Sequence, residues 1–128
     1  MVTIKHVNMG KPTSSPFSPG IVAGNTLYVS GQVPVDKDGN MPDGIEAQTA
    51  VVLNNLKATI EKAGGKVENI VRCTVFMTRI AEFKQMNEAY KNFFEANGVK
   101  QFPTRSTVEV SKLAVEAALI EIDCICAL

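Results

Sequence analysis

The chain has 128 residues, 45% of them hydrophobic and 20% charged, a balance that supports one domain with a real core and excludes disordered and collagen-like classes. Thirteen basic side chains meet thirteen acidic ones, so no broad positive field gathers phosphates and nucleic acid is a poor expectation as partner. No stretch approaches the roughly 20 apolar residues of a membrane span, and Met1-Val2-Thr3-Ile4-Lys5-His6 lacks a secretory apolar run, so the chain reads as cytosolic.

Thr3 to Val7 reads as a short strand, followed by a segment too rich in proline, serine and glycine (Pro12 to Gly20) for regular structure. Ile21 to Ala23 and Leu27 to Ser30 flank Gly24-Asn25 as a hairpin, and Val33-Pro34-Val35 leaves the sheet. Asp43 with Glu46 three residues on resembles a capping box, and Ile45, Thr49, Val52, Leu56, Ile60 and Ala63 recur at helical steps before Gly64-Gly65 closes the element. Ile70 to Thr78 is a β-branched strand, and Phe83, Met86, Tyr90, Phe93 and Phe94 mark a second helix ending near Asn97-Gly98, its aromatic stripe read as core. Thr104 to Val110 and Leu119 to Ala127 complete the order β-β-β-α-β-α-β-β, an α+β chain with one sheet and two helices on one face.

Two helices leave the other face of such a sheet to solvent or a partner. Strand alternation assigns Val71, Cys73, Val75 and Met77 to the helix side and Arg72, Thr74, Phe76 and Thr78 to the other. The last strand likewise splits into Ile120, Ile122, Cys124 and Cys126 against Leu119, Glu121, Asp123 and Ile125. A face mixing Phe76, Leu119 and Ile125 with polar groups fits a half-buried subunit interface, so an oligomer is expected.

Arg105, Thr107 and Glu109 share one strand face, Glu121 and Asp123 another, and these groups gather if the two strands pair. Two readings stand open. The cluster is a set of cross-strand ion pairs worth about 0.2 to 1 kcal/mol each and chemically idle; or Arg105 grips a small carboxylate through its planar, permanently charged fork while Glu121 orients or activates water. The single His6 cannot be set beside a serine or thiol, which leaves a nucleophilic triad without support. Gly64-Gly65 ends a helix where a phosphate loop would open one. Cys73, Cys124 and Cys126 lie in apolar runs as expected of reduced, buried thiols, and with His6 remote from Cys124-x-Cys126 no metal is expected.

Ser30-Gly31-Gln32 after an apolar strand, Asn87-x-x-Tyr90-x-x-Phe93-Phe94, Pro103-Thr104-Arg105-Ser106-x-Val108-x-Val110 and Ile120-Glu121-Ile122-Asp123 together resemble the RidA family, also called YjgF or L-PSP, from about Pro16 to Ile125. The resemblance implies a single chorismate-mutase-like domain over residues 1–128, assembled as a homotrimer with three clefts between neighbouring subunits. It implies cofactor-free hydrolysis of 2-aminoacrylate, or its 2-iminopropanoate tautomer, to pyruvate and ammonia. Arg105 matches the family's carboxylate-binding arginine and Glu121 the glutamate that positions water, with Phe17, Ser30, Gly31, Asn87 and Thr107 about the ligand. This chain departs in having Ser15-Pro16-Phe17 where many strong deaminases carry a Gly-Pro-Tyr tyrosine, Thr107 where some carry cysteine, and a Leu113 to Glu121 connection one residue longer than usual. The competing functions are non-catalytic binding of a small carboxylate and, against the charge balance, ribonuclease activity of the kind attributed to some members.

Overall fold

A computed structural model describes all 128 residues. The elements run β1 (Ile4–His6), β2 (Gly20–Ala23), β3 (Thr26–Gln32), α1 (Ile45–Lys62), β4 (Ile70–Met77), α2 (Phe83–Ala96), β5 (Thr104–Glu109) and β6 (Ile120–Ala127), with single 3-10 turns before β4 and α2. This is the order expected from periodicity. The strands form one mixed six-stranded sheet in the order β1-β2-β3-β6-β4-β5; β4 and β5 are parallel, every other pair antiparallel. A parallel pair needs a crossover, and α2 supplies it.

Both helices pack on one face. Val52, Leu53, Leu56 and Ile60 of α1 and Met86, Tyr90, Phe93 and Phe94 of α2 close over Leu27, Val29, Cys73, Val75, Met77, Ile120, Ile122, Cys124 and Cys126 in a single core. Each large apolar side chain fully buried there contributes about 1.5 to 3 kcal/mol. All three cysteines are buried free thiols, and the helix-side half of β6 follows the expected alternation.

Three local expectations fail for identifiable reasons. Gly44, not Asp43, takes the N-cap of α1, at a φ of 89° that suits glycine, and no side chain caps the helix, so the Asp43/Glu46 box does not form. In β4, Ile70 pairs with Cys126 and Arg72 with Ile125, leaving Val71 as an extra residue in a bulge. The bulge turns Ile70 into the core and leaves Val71 47% exposed, against the alternation that assigned it inward. Leu119 packs at the core margin instead of the open face: it precedes the first residue of β6, where strand alternation does not reach, and its N–H donates to the buried Gln48 Oε1 of α1 at 2.8 Å. The remaining open face carries half-buried Phe76 and Ile125 and exposed Tyr28 and Val108 among Thr74, Asp123 and Glu121.

Candidate functional site

The strand order separates the groups that the sequence gathers. β4 lies between β5 and β6, so the pairing on which an Arg105–Glu121 cluster depended does not occur. Arg105 stands beside Cys73, whose side chain enters the core, and Glu121 stands beside Phe76 on the open side. Arg105 and Thr107 therefore face the helices, and Glu121 and Asp123 face away. The idle-ion-pair reading fails with it: Arg105 forms no salt bridge and donates no hydrogen bond, and Glu109 instead accepts from the Ile80 N–H at 3.0 Å.

On the helix side, the Arg105 guanidinium carbon lies 4.8 Å from the centroid of the Tyr90 ring and 5.5 Å from that of Phe83. Arg105, Tyr90, Asn87, Lys91, Phe102 and Pro103 border a cavity of about 450 Å³. Of the residues that border it, Asn87 Oδ1 and the Tyr90 hydroxyl are buried without a protein hydrogen-bond partner, as is Thr107 Oγ1 two residues along β5 from Arg105. The Tyr90 hydroxyl neighbours the Cys73 thiol without proper hydrogen-bond geometry. Burial pushes the Cys73 thiol up to about 11 and raises the Tyr90 phenol further, so both stay neutral.

On the open side, β3 bulges between Val29 and Gln32, setting Ser30 and Gly31 against β6. The Glu121 carboxylate lies directly on Gly31: a Cβ there would come within 2.9 Å of Glu121 Cδ and closer still to Oε2. Burial, with a smaller contribution from Asp123, raises the Glu121 carboxyl above the usual glutamate range. Ser30 Oγ donates to the Ser18 carbonyl at 2.5 Å, which holds the loop bearing exposed Phe17 next to this end of β3. His6 does meet a serine, with Nδ1 2.7 Å from Ser18 Oγ, contrary to expectation from their spacing. The pair is exposed and no carboxylate orients the imidazole, so it pins the loop and lacks the third member of a triad.

The seven candidate residues thus fall into two separate groups: Asn87, Arg105 and Thr107 on the helix side, and Phe17, Ser30, Gly31 and Glu121 by the β3–β6 seam. The aromatic stripe read as core is core for Met86, Tyr90, Phe93 and Phe94, and only Phe83 stands outside it; what that reading did not give is that Phe83 and Tyr90 also face Arg105. The signal was present in Asn87, an amide at helical spacing between two rings that no apolar core requires.

The family model described as Endoribonuclease L-PSP matches residues 9–128. A RutC family protein of Pasteurella multocida is 39% identical over 98% of this chain and 97% of its own length. The Escherichia coli 2-iminobutanoate/2-iminopropanoate deaminase is 40% identical over 86% of this chain and 85% of its own. The crystal structure of E. coli TdcF with bound serine superposes with a TM-score of 0.91 at 32% identity, covering 97% of this chain and 98% of that one. With the family model spanning nearly the whole chain and relatives about 40% identical over most of it, this chain belongs to the RidA/YjgF (L-PSP) family.

Proposed function

We propose that the protein hydrolyses small reactive 2-imino acids and their enamine tautomers to 2-keto acids and ammonia, without a cofactor, in clefts completed between copies of the chain in a homotrimer. The observation that carries this reading is the unpaired Arg105 guanidinium: half-buried, charged at any working pH, and engaged only by aromatic faces. Such a fork holds two carboxylate oxygens at once. A relative 40% identical is named as a deaminase of this substrate class, which supports the same chemistry here.

Arg105 binds the substrate carboxylate and so fixes the neighbouring imine carbon. Glu121, whose raised pKa brings it closer to the pH at which it works, accepts a proton from water as the water oxygen bonds to that carbon. Glu121 passes that proton to the carbinolamine nitrogen, then takes the hydroxyl proton as the C=O forms and the C–N bond breaks, and ammonia and the 2-keto acid leave. Iminium carbons are already electrophilic, so orientation supplies much of the catalysis. Because Arg105 and Glu121 face opposite sides of one sheet, they reach one ligand only if one chain contributes the arginine and its neighbour the glutamate.

The test is a coupled assay in which 2-aminoacrylate is generated in place and pyruvate followed with wild type and Arg105→Ala; equal rates would remove this reading. A second reading, carboxylate binding without turnover, is favoured by the solution of TdcF with bound serine, an amino acid. It predicts saturable binding with no ammonia released above the spontaneous rate.

A further inference from the structure

We propose that Phe83 and Tyr90 are positioning residues that hold the Arg105 guanidinium by its face and leave its N–H groups free for the incoming carboxylate. The inference rests on Arg105 as the carboxylate anchor and deepens that reading.

Phe83, Asn87 and Tyr90 stand four and then three residues apart in α2, so they share one helix face, and that face meets Arg105 of β5. Both rings bring their centroids within the roughly 6 Å over which an aromatic face attracts a cation. Phe83 is 36% exposed and stands outside the core cluster, so core packing does not account for its position at the start of α2. Tyr90 is 4% exposed, and its ring is braced by Phe94 at 4.8 Å, which makes it a fixed surface.

A half-buried cation ordinarily takes a carboxylate partner. Arg105 has none, although Glu88 borders the same cavity. The difference matters chemically. A protein carboxylate would occupy the same N–H donors that a substrate carboxylate needs, and displacing it would cost affinity. A ring face stabilises the positive charge through its quadrupole and offers no lone pair to those donors. Asn87, between the two rings, contributes an unpartnered amide oxygen to the same cavity. The device therefore restrains the arginine while keeping its binding capacity unspent.

Titration calorimetry with 2-ketobutyrate as probe decides the point, on wild type, Phe83→Leu, Phe83→Trp, Tyr90→Phe and Tyr90→Leu. Each leucine variant is expected to weaken Kd by about three- to tenfold, and the variants that keep a ring to stay within about twofold of wild type. The same leucine variants should raise KM for the imine with kcat within about twofold, since the anchor serves substrate and transition state alike. Wild-type Kd in Phe83→Leu, or Tyr90→Phe as weak as Tyr90→Leu, would overturn the proposal. Should Tyr90→Leu fail to fold, the exposed Phe83 pair decides alone. A wild type that binds 2-ketobutyrate yet releases no ammonia from the imine would sink the deaminase reading while the affinity series still judged this one. A wild type that does not bind the probe would remove the anchor, and this proposal with it.

Discussion

Arg105 and Glu121 stand on strands that never touch: β4 runs between them, and the guanidinium faces the helices while the carboxylate faces the open side of the sheet. Two groups so divided cannot close on one small molecule within a chain. Refolding an equimolar mixture of the impaired Arg105→Ala and Glu121→Gln chains should raise activity to about a quarter of wild type, the statistical share of clefts that draw each intact group from a different chain. A mixture no more active than the mean of its parents would show that the cleft is not shared in this way.

Arg105→Ala is expected to lower kcat/KM by roughly 10- to 200-fold, since hydrogen bonds to charged groups contribute about 1.5 to 3 kcal/mol. Arg105→Lys should recover only part of this, because an ammonium keeps the charge without the two-pronged geometry. Steady-state kinetics beside unchanged circular dichroism check it; full recovery by lysine would argue against bidentate recognition.

Glu121 makes stability fall with rising pH. Burial, then Asp123, keeps its carboxyl protonated to higher pH in the folded chain than in the unfolded one. Ionising it therefore opposes folding: the penalty is absent below the unfolded glutamate value near 4.3, grows above it and is complete once pH has passed the folded value. Glu121→Gln should match wild type at about pH 4 and gain stability relative to it toward pH 7. Urea titrations at both pH values measure this, and a constant or reversed difference would contradict it. The acid limb of the wild-type rate profile should likewise lie above that of an ordinary glutamate.

Gly31→Ala is expected to damage the site more than the fold. The new methyl would meet the Glu121 carboxyl, with Cδ 2.9 Å away, and the flexible side-chain end must swing aside. In the proposed mechanism Glu121 orients water, and displacing such a group by about 1 Å can cost on the order of 100-fold in rate. The expected result is a large loss of kcat with a melting temperature within a few degrees of wild type; a fully active alanine variant would mean that the pose of Glu121 is immaterial.

Ala117→Gly should stabilise the protein. Ala117, in the connection between β5 and β6, has a φ of 67°, where a Cβ is strained and glycine is not. Relief of about 1 to 2 kcal/mol, less about 0.4 to 1 for the added freedom of the unfolded chain, leaves a gain near 1 kcal/mol. Denaturant unfolding at one fixed protein concentration, as association alters apparent stability, would read it. An unchanged or lower midpoint would show the loop unstrained.

Much of the fold was legible in the residues. The periods of Val52, Leu56 and Ile60, of Met86, Tyr90 and Phe93, and of Ile120, Ile122 and Cys124 state which stretches are helix or strand and which side is buried, because amphipathic spacing is a local property. Val71 escaped that logic because a bulge is set by the partner strand, and Asp43 because Gly44 caps the helix in its place. Strand faces singled out Arg105 and Glu121 but left idle ion pairs and carboxylate binding both open, and the expected roles of the two came from the family resemblance.

Whether those two groups meet was a different kind of question. Sequence order makes β5 and β6 neighbours along the chain, but the insertion of β4 between them depends on non-local pairing that no spacing encodes. The same holds for the aromatic bed of Arg105: a helix and a strand each announce their faces, and only their packing reveals that Phe83 and Tyr90 lie under the guanidinium. Local chemistry thus determined the candidate residues, and long-range strand order decided that they stand apart in one chain, since side chains on opposite faces of a sheet cannot reach each other through it.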